Sequence, residues 1–403
     1  MTTPTATVRP LPVPDRWCVH SYYTLCPYAP DGSGRILIAG ADLDRQVGEV
    51  VVLDADGAVL DRFGDTPLTP SFWHTGLWQS WSPEARFVYY QSGSLMCPQI
   101  VRRELASGRE VRVDGDMEGV PPSGEPGISC SHGLLYAAGY GDGVYKPHEA
   151  PVPFQQRDRH GMSLITFDPP GQKLVLSTQQ VLDQHPDRDR LLAADHEVKQ
   201  RLGRDEGLTL MVYCVRWNRA GDRFLFYFGN HCVVQQRGEP RLGYVFTADR
   251  NLNDMHLALD LSFGRSGVHW SWQPDNQRLI GYGPDPEDPT RPCLAEVRFD
   301  GTGYRRLSRH RSGGHPSVCP IDDNLIVTDR GGTGGHGAVD FISRQSGEVI
   351  QSLALPKYRG EREPAGRNDQ RICHHAVFNH AGDRLLFNTL PGSHATVAEV
   401  QLS

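Results

Sequence analysis

Three histidines occupy the same place in three consecutive repeats of this chain. His269 lies three residues before Trp272, His315 three before Val318, and His375 three before Phe378. At the same step back from the anchor, earlier repeats carry Cys214 (before Trp217) and Trp78 (before Trp81). A single histidine at the start of a strand is usually structural, satisfying a turn or a neighbour. Three at one register in adjacent units point toward one locus. Imidazole is the commonest transition-metal ligand and the natural base near neutral pH, so metal binding or proton transfer is the expected chemistry. Other polar side chains cluster nearby in sequence. Gln370, Arg371, Cys373 and His374 directly precede His375, while His74 and Gln79 share a stretch with Trp73, Trp78 and Trp81. Arg237 and Arg241 follow His231, and Arg157, Arg159 and His160 fall in a long insert. Aromatic rings and arginines around a wet mouth suit a sugar bearing a carboxylate. Trp81 alone reads as core.

These positions need a repeating scaffold, and the chain supplies one. An aromatic or apolar anchor, a turn built on Pro, Asp or Gly, and an alternating strand recur as Trp81-Ser-Pro-Glu, Trp217-Asn-Arg-Ala-Gly-Asp, Trp272-Gln-Pro-Asp and Phe378-Asn-His-Ala-Gly-Asp. Tyr28-Ala-Pro-Asp-Gly is a further copy, and Val318-Cys-Pro-Ile-Asp-Asp and Ile128-Ser-Cys-Ser-His-Gly are weaker ones. Short strands with regular turn signals mark an all-β chain, and such a unit repeated around an axis is a propeller blade. Units beginning near residues 23, 74, 125, 211, 266, 312 and 372 predict a seven-bladed β-propeller with four-stranded blades, one domain over 1–403. The last unit is a strand short, so residues 15–22 are expected to close it, removing the open edge. Inserts around 141–160 and 180–210 read as loops or short helices, with helical spacing over 190–205.

Bulk properties narrow the function classes. The net charge of −7 is spread over 403 residues without a basic block, which argues against nucleic acid. No apolar run approaches the ~18 residues of a membrane span, and Met1 to Pro14 lacks the apolar core of a signal peptide. With nine cysteines and no CxxC pair, reduced thiols in a cytoplasmic protein are expected. A monomer and a homodimer are both compatible with this composition.

The pattern Gly314-His315-Pro316-Ser317, followed by Gln370 and then His375 ahead of Phe378, resembles the oligogalacturonate lyase type of polysaccharide lyase. The repeat count agrees with that family over essentially the whole chain, and the motif match covers mainly the last three units. The resemblance implies a seven-bladed propeller holding a divalent ion, typically manganese, at its axis. It implies His315, His375 and Gln370 as ligands and His269 as the proton-abstracting base. Where the family has a further ligand histidine, this chain has Cys373, with His374 beside it. For the family's catalytic arginine, Arg237 is the nearer match and Arg241 the alternative. His74, Gln79, His231, Arg241, Arg159, His160 and Arg371 are then expected to contact a small uronate-containing carbohydrate.

The chemistry is coherent on its own terms. β-Elimination removes the C5 proton of a uronate, and the bond from C4 to the glycosidic oxygen breaks. A metal on the carboxylate spreads the developing charge, a neutral imidazole takes the proton, and an arginine offsets the remaining charge. Paired-carboxylate hydrolysis is disfavoured, because no acidic pair recurs at the histidine register. Two other readings stand beside the lyase: another metal-dependent sugar-acid enzyme (epimerase, isomerase or hydrolase), and a non-catalytic propeller binding a ligand or partner.

Overall fold

The computed structural model describes residues 7–402 except 70–71, 95–96, 133–151, 204, 206, 231–237, 332–335, 357–371 and 391–394. Seven antiparallel sheets follow one another along the chain and form a seven-bladed β-propeller with four-stranded blades. Blade one contains Trp17–Val19, Ile36–Asp42, Val47–Leu53 and Val59–Pro67. The inner strands of blades four to seven are Met211–Trp217, Val268–Trp272, Ser317–Val318 and Val377–Phe378. The polar–apolar alternation buries one set of side chains between neighbouring sheets. Phe224, Phe226 and Phe228 of blade four, for example, are fully buried with Tyr244 and Phe246.

Local chemistry explains why the repeats turn where they do. In Asn218-Arg-Ala-Gly-Asp and Asn379-His-Ala-Gly-Asp the asparagine Oδ1 accepts from the backbone N–H of Asp222 and Asp383, both at 3.1 Å. The glycine of each turn, Gly221 or Gly382, takes a left-handed φ of 69° or 75°. The anchor indoles then tie blades together. Trp81 Nε1 donates to the Pro27 carbonyl (2.8 Å), and Trp272 Nε1 to the Arg216 carbonyl (2.9 Å).

One expectation is corrected. The ring is closed by Val8–Leu11, not by residues 15–22. Val8 pairs with Val400 and Leu11 with Val397, and Arg9 bridges to Glu399 at 2.6 Å. Trp17–Val19 instead forms the inner strand of blade one, paired to Ala39–Ala41. Trp17-Cys-Val has the apolar content of an inner strand, whereas Val8-Arg-Pro-Leu, with a proline and an alternating charge, suits an outer position. In the third unit the Ile128-Ser-Cys copy forms a strand at one end of its sheet. The three paired strands are Gly127–Cys130, Gly161–Phe167 and Pro170–Ser177. Residues 116–120 instead bring Glu118 beside Arg216 of the blade-four inner strand, 3.9 Å away. The helix expected at 190–205 spans Arg188–Leu202 and ends at the left-handed Gly203. Before it, Thr178–Asp183 is a short helix closed by a capping box between Ser177 and Gln180.

Candidate metal centre

At the register of the histidines the inner strands do not run straight. Trp78, Cys214, His269 and His375 all have left-handed φ, at 53°, 57°, 59° and 46°. Strand pairing shifts at the same place, between Tyr213 and Arg216 and between Val268 and Ser271. These are bulges, which re-aim a side chain at the cost of local strain. His315 arrives differently. It follows Gly314, where an added Cβ would lie 1.7 Å from the Asp329 carbonyl oxygen, so only glycine allows this approach.

The bulges bring the rings together. The donor nitrogens of His74, His315 and His375 all lie within 4.8 Å of one another. His74 reaches the group from the short helix Phe72–Thr75 ahead of blade two. The His269 ring is 4.0 Å from that of His315, and His315 is 4.2 Å from His375, nearly perpendicular. His315 and His375 are 3% and 0% exposed, yet His315 Nε2 and both ring nitrogens of His375 have no hydrogen-bond partner. Orphaned buried nitrogens are costly unless something fills the gap between them. Three converging imidazoles suit a divalent first-row transition ion, so the residues fit the metal the resemblance implies.

Hydrogen bonds assign the tautomers. His269 Nδ1 faces the carbonyls of Gly313 (2.8 Å) and Gly314 (3.0 Å), which can only accept. Nδ1 therefore carries the proton and Nε2 keeps a lone pair. Burial, then the neighbouring His315 and Arg216, hold His269 well below the ordinary imidazole range, so it stays neutral. His315 Nδ1 donates to both Asp329 oxygens at 2.9 and 3.1 Å. Asp329 also accepts the backbone N–H of His315 (2.7 Å) and of His375 (3.1 Å). Burial alone would raise the Asp329 carboxyl, but His315 and these N–H groups keep it well below the usual carboxylate range. A carboxylate behind a ligand imidazole fixes its orientation and strengthens it as a ligand.

Several of these contributors were not singled out in the sequence. Asp329 ends an apolar run, Ile326-Val-Thr-Asp, and Arg216 interrupts Met211-Val-Tyr-Cys-Val-Arg-Trp. A lone charge in a buried strand is the signal that could have found both. His20 donates to the His375 carbonyl through Nε2 at 2.6 Å, and burial pushes it down to about 4. Tyr22 and Tyr23, 2% and 3% exposed, pack against the cluster. Tyr22 packs edge-on against His74, His315 and His375, and Tyr23 against His269 and His315. Arg216 supports the pair from below, its guanidinium 5.1 Å from the Tyr22 ring and 3.2 Å from the Tyr23 hydroxyl.

The other expected site residues fall elsewhere. His74, read as a substrate contact, joins His315 and His375. Cys373 and His374 do not belong to the cluster: His374 Nδ1 donates to the Asn388 carbonyl at 2.8 Å, and the Cys373 carbonyl accepts from Asn388. Gln79 folds back onto the Leu77 N–H (2.9 Å), bracing the loop after His74. Arg241 donates to the Gly267 carbonyl (3.0 Å) just before the His269 strand. His160 is engaged through both nitrogens, by Phe154 and Thr178, and Arg159 is exposed and bound to Gln156. Gln370, Arg371, His231 and Arg237 lie outside the described residues. Every cysteine among the described residues is a free thiol, and no helix among them is long and apolar enough to cross a membrane.

Neither a protein-family pattern nor a curated protein sequence matches the chain. Solved structures do. An oligogalacturonate lyase in complex with manganese aligns with TM-score 0.64 at 15% identity, covering 99% of this chain and 93% of its own. An oligogalacturonate lyase from Vibrio parahaemolyticus aligns with TM-score 0.63 at 13% identity, over 100% and 95%. A prolyl endopeptidase reaches 0.51 at 10% identity, over 94% of this chain and 51% of its own. At these identities the likeness is one of fold.

Proposed function

We propose that the protein is a metal-dependent lyase that cleaves a small uronate-containing oligosaccharide or glycoside by β-elimination. The observation that carries this reading is the His269 imidazole, neutral, with Nδ1 pinned to Gly313 and Nε2 left as a base, stacked beside a three-histidine cluster. The overall likeness to two oligogalacturonate lyases, one of them a manganese complex, supports it.

His74, His315 and His375 would hold a divalent ion, manganese in first place. When bound, such an ion supplies positive charge to a uronate carboxylate, easing removal of the adjacent C5 proton. His269 Nε2 takes that proton, and the electron pair expels the glycosidic oxygen from C4, leaving a C4–C5 double bond. Asp329 keeps His315 in the tautomer that presents Nε2. Returning the C5 proton from the opposite face instead would make the same residues an epimerase.

The test is a screen of short uronides with manganese-loaded protein, read by the ultraviolet absorbance of the conjugated product. The expected result is rising absorbance with at least one uronide. His269→Ala should lose at least about 100-fold in kcat while retaining manganese by elemental analysis, whereas His315→Ala should lose the metal. Full activity in His269→Ala would overturn its role as base. C5 epimer without absorbance would assign the epimerase.

A further inference from the structure

The inner strands run past the histidine register to a second chamber. Three residues beyond Trp78, Cys214 and His269 stand Trp81, Trp217 and Trp272, roughly 10 Å further along the strands. These indoles line a cavity of about 370 Å³. Tyr23 and Arg216 also border it, whereas His74, His269, His315 and His375 do not.

Polarity in this chamber is unspent. Thr24 Oγ1, Ser80 Oγ, Glu118 Oε2, Arg216 Nε and Trp217 Nε1 are all buried without a hydrogen-bond partner, and all five residues line the cavity. Ser80, Glu118 and Arg216 are only 5%, 6% and 4% exposed. Leaving such atoms unsatisfied is costly, so five around one space mark a place built for a partner. Trp217 shows how the chamber arises. Trp81 and Trp272 spend their N–H on a carbonyl of the preceding blade. Trp217 follows the third blade, where the irregular segment 116–120 brings Glu118 to the channel and gives the indole no acceptor.

The kind of partner follows from the kind of atoms. The Arg216 and Trp217 N–H groups only donate, while the two hydroxyls and the Glu118 carboxyl, pushed up to about 8 by burial, can donate or accept. Vicinal hydroxyls need that mixture, since each both donates and accepts. Fixed indole faces suit the C–H face of a sugar ring. Arg216 and Glu118 stand 3.9 Å apart, so a bound unit meets a fixed donor and an acid side by side, and an anion would face the acid as well as the cation. We infer that this lower chamber binds a neutral pyranose unit, independently of the histidine cluster.

The experiment is calorimetric titration of the metal-loaded protein with glucose, galactose and xylose, and with galacturonate as the charged comparison. The expected result is binding of at least one neutral sugar with a dissociation constant on the order of 1 mM. It should persist in His315→Ala and weaken at least about tenfold in Trp217→Phe, which keeps a ring but removes the N–H. Ser80→Ala, a smaller change, should weaken it in the same direction, with thermal melting confirming that each variant is folded. No binding by any neutral sugar overturns the inference. So does binding that His315→Ala abolishes and Trp217→Phe leaves intact, or tighter binding of galacturonate than of its neutral counterpart. Because the readout is binding, loss of lyase activity and loss of this site are separable results.

Discussion

A carboxylate can only accept hydrogen bonds, and Asp329 uses both oxygens to accept from His315 Nδ1 and from the backbone of His315 and His375. One acid side chain thus sets the tautomer of one histidine of the cluster and the backbone position of another. Asp329→Asn removes the charge and offers an amide that can turn an N–H toward His315. The expected effect is a loss of about 10–100-fold in manganese affinity, measured by competition with a chelator. Unchanged affinity would reduce Asp329 to a packing role. The residue-scale chemistry was only partly legible in the sequence. The shared register found His269, His315 and His375 because identical residues repeated. It passed over Asp329, Arg216 and His20 because each occurs once, and misread His74 because its helix lies outside the repeat.

Between residue and ring, the bulged inner strand is the element that matters. A straight strand would alternate its side chains and send every second one into the sheet interface. A left-handed residue at Trp78, Cys214, His269 and His375 breaks that alternation and aims the side chain at the axis. Counting back from the anchor works because every bulge sits at the same distance from its turn. Blade closure was legible in kind and misplaced in position: the unpaired last blade required an N-terminal strand, and that strand lies nearer the start of the chain than residues 15–22. The structure chooses Val8–Leu11, with Leu11 only 2% exposed. Deleting residues 1–12 should expose the Thr396–Gln401 edge and forfeit about 2 kcal/mol from Leu11 alone. A lowered melting temperature and self-association by light scattering are the expected readings. An unchanged melting temperature would mean that the ring holds without this strand.

Over the whole molecule, buried histidines away from the channel set the response to acid. Burial lowers His132 to about 3 and His160 and His185 to about 4. Around them, His132 and His160 disfavour each other's charge, Arg157 opposes and Asp158 favours protonation of His160, and Asp187 and Asp260 favour it for His185. Below about pH 6.5 the unfolded chain takes up protons that the folded chain refuses, so stability rises with pH between roughly 4 and 6.5. Each group contributes at most about 1.4 kcal/mol per pH unit in that window. The melting temperature should therefore fall steadily from pH 7 to pH 5, and a flat profile by calorimetry would contradict this account. The same architecture gives the histidines and the tryptophan-lined cavity a shared wall. Tyr23 packs against His269 and His315 and also borders that cavity, so one buried ring is common to both.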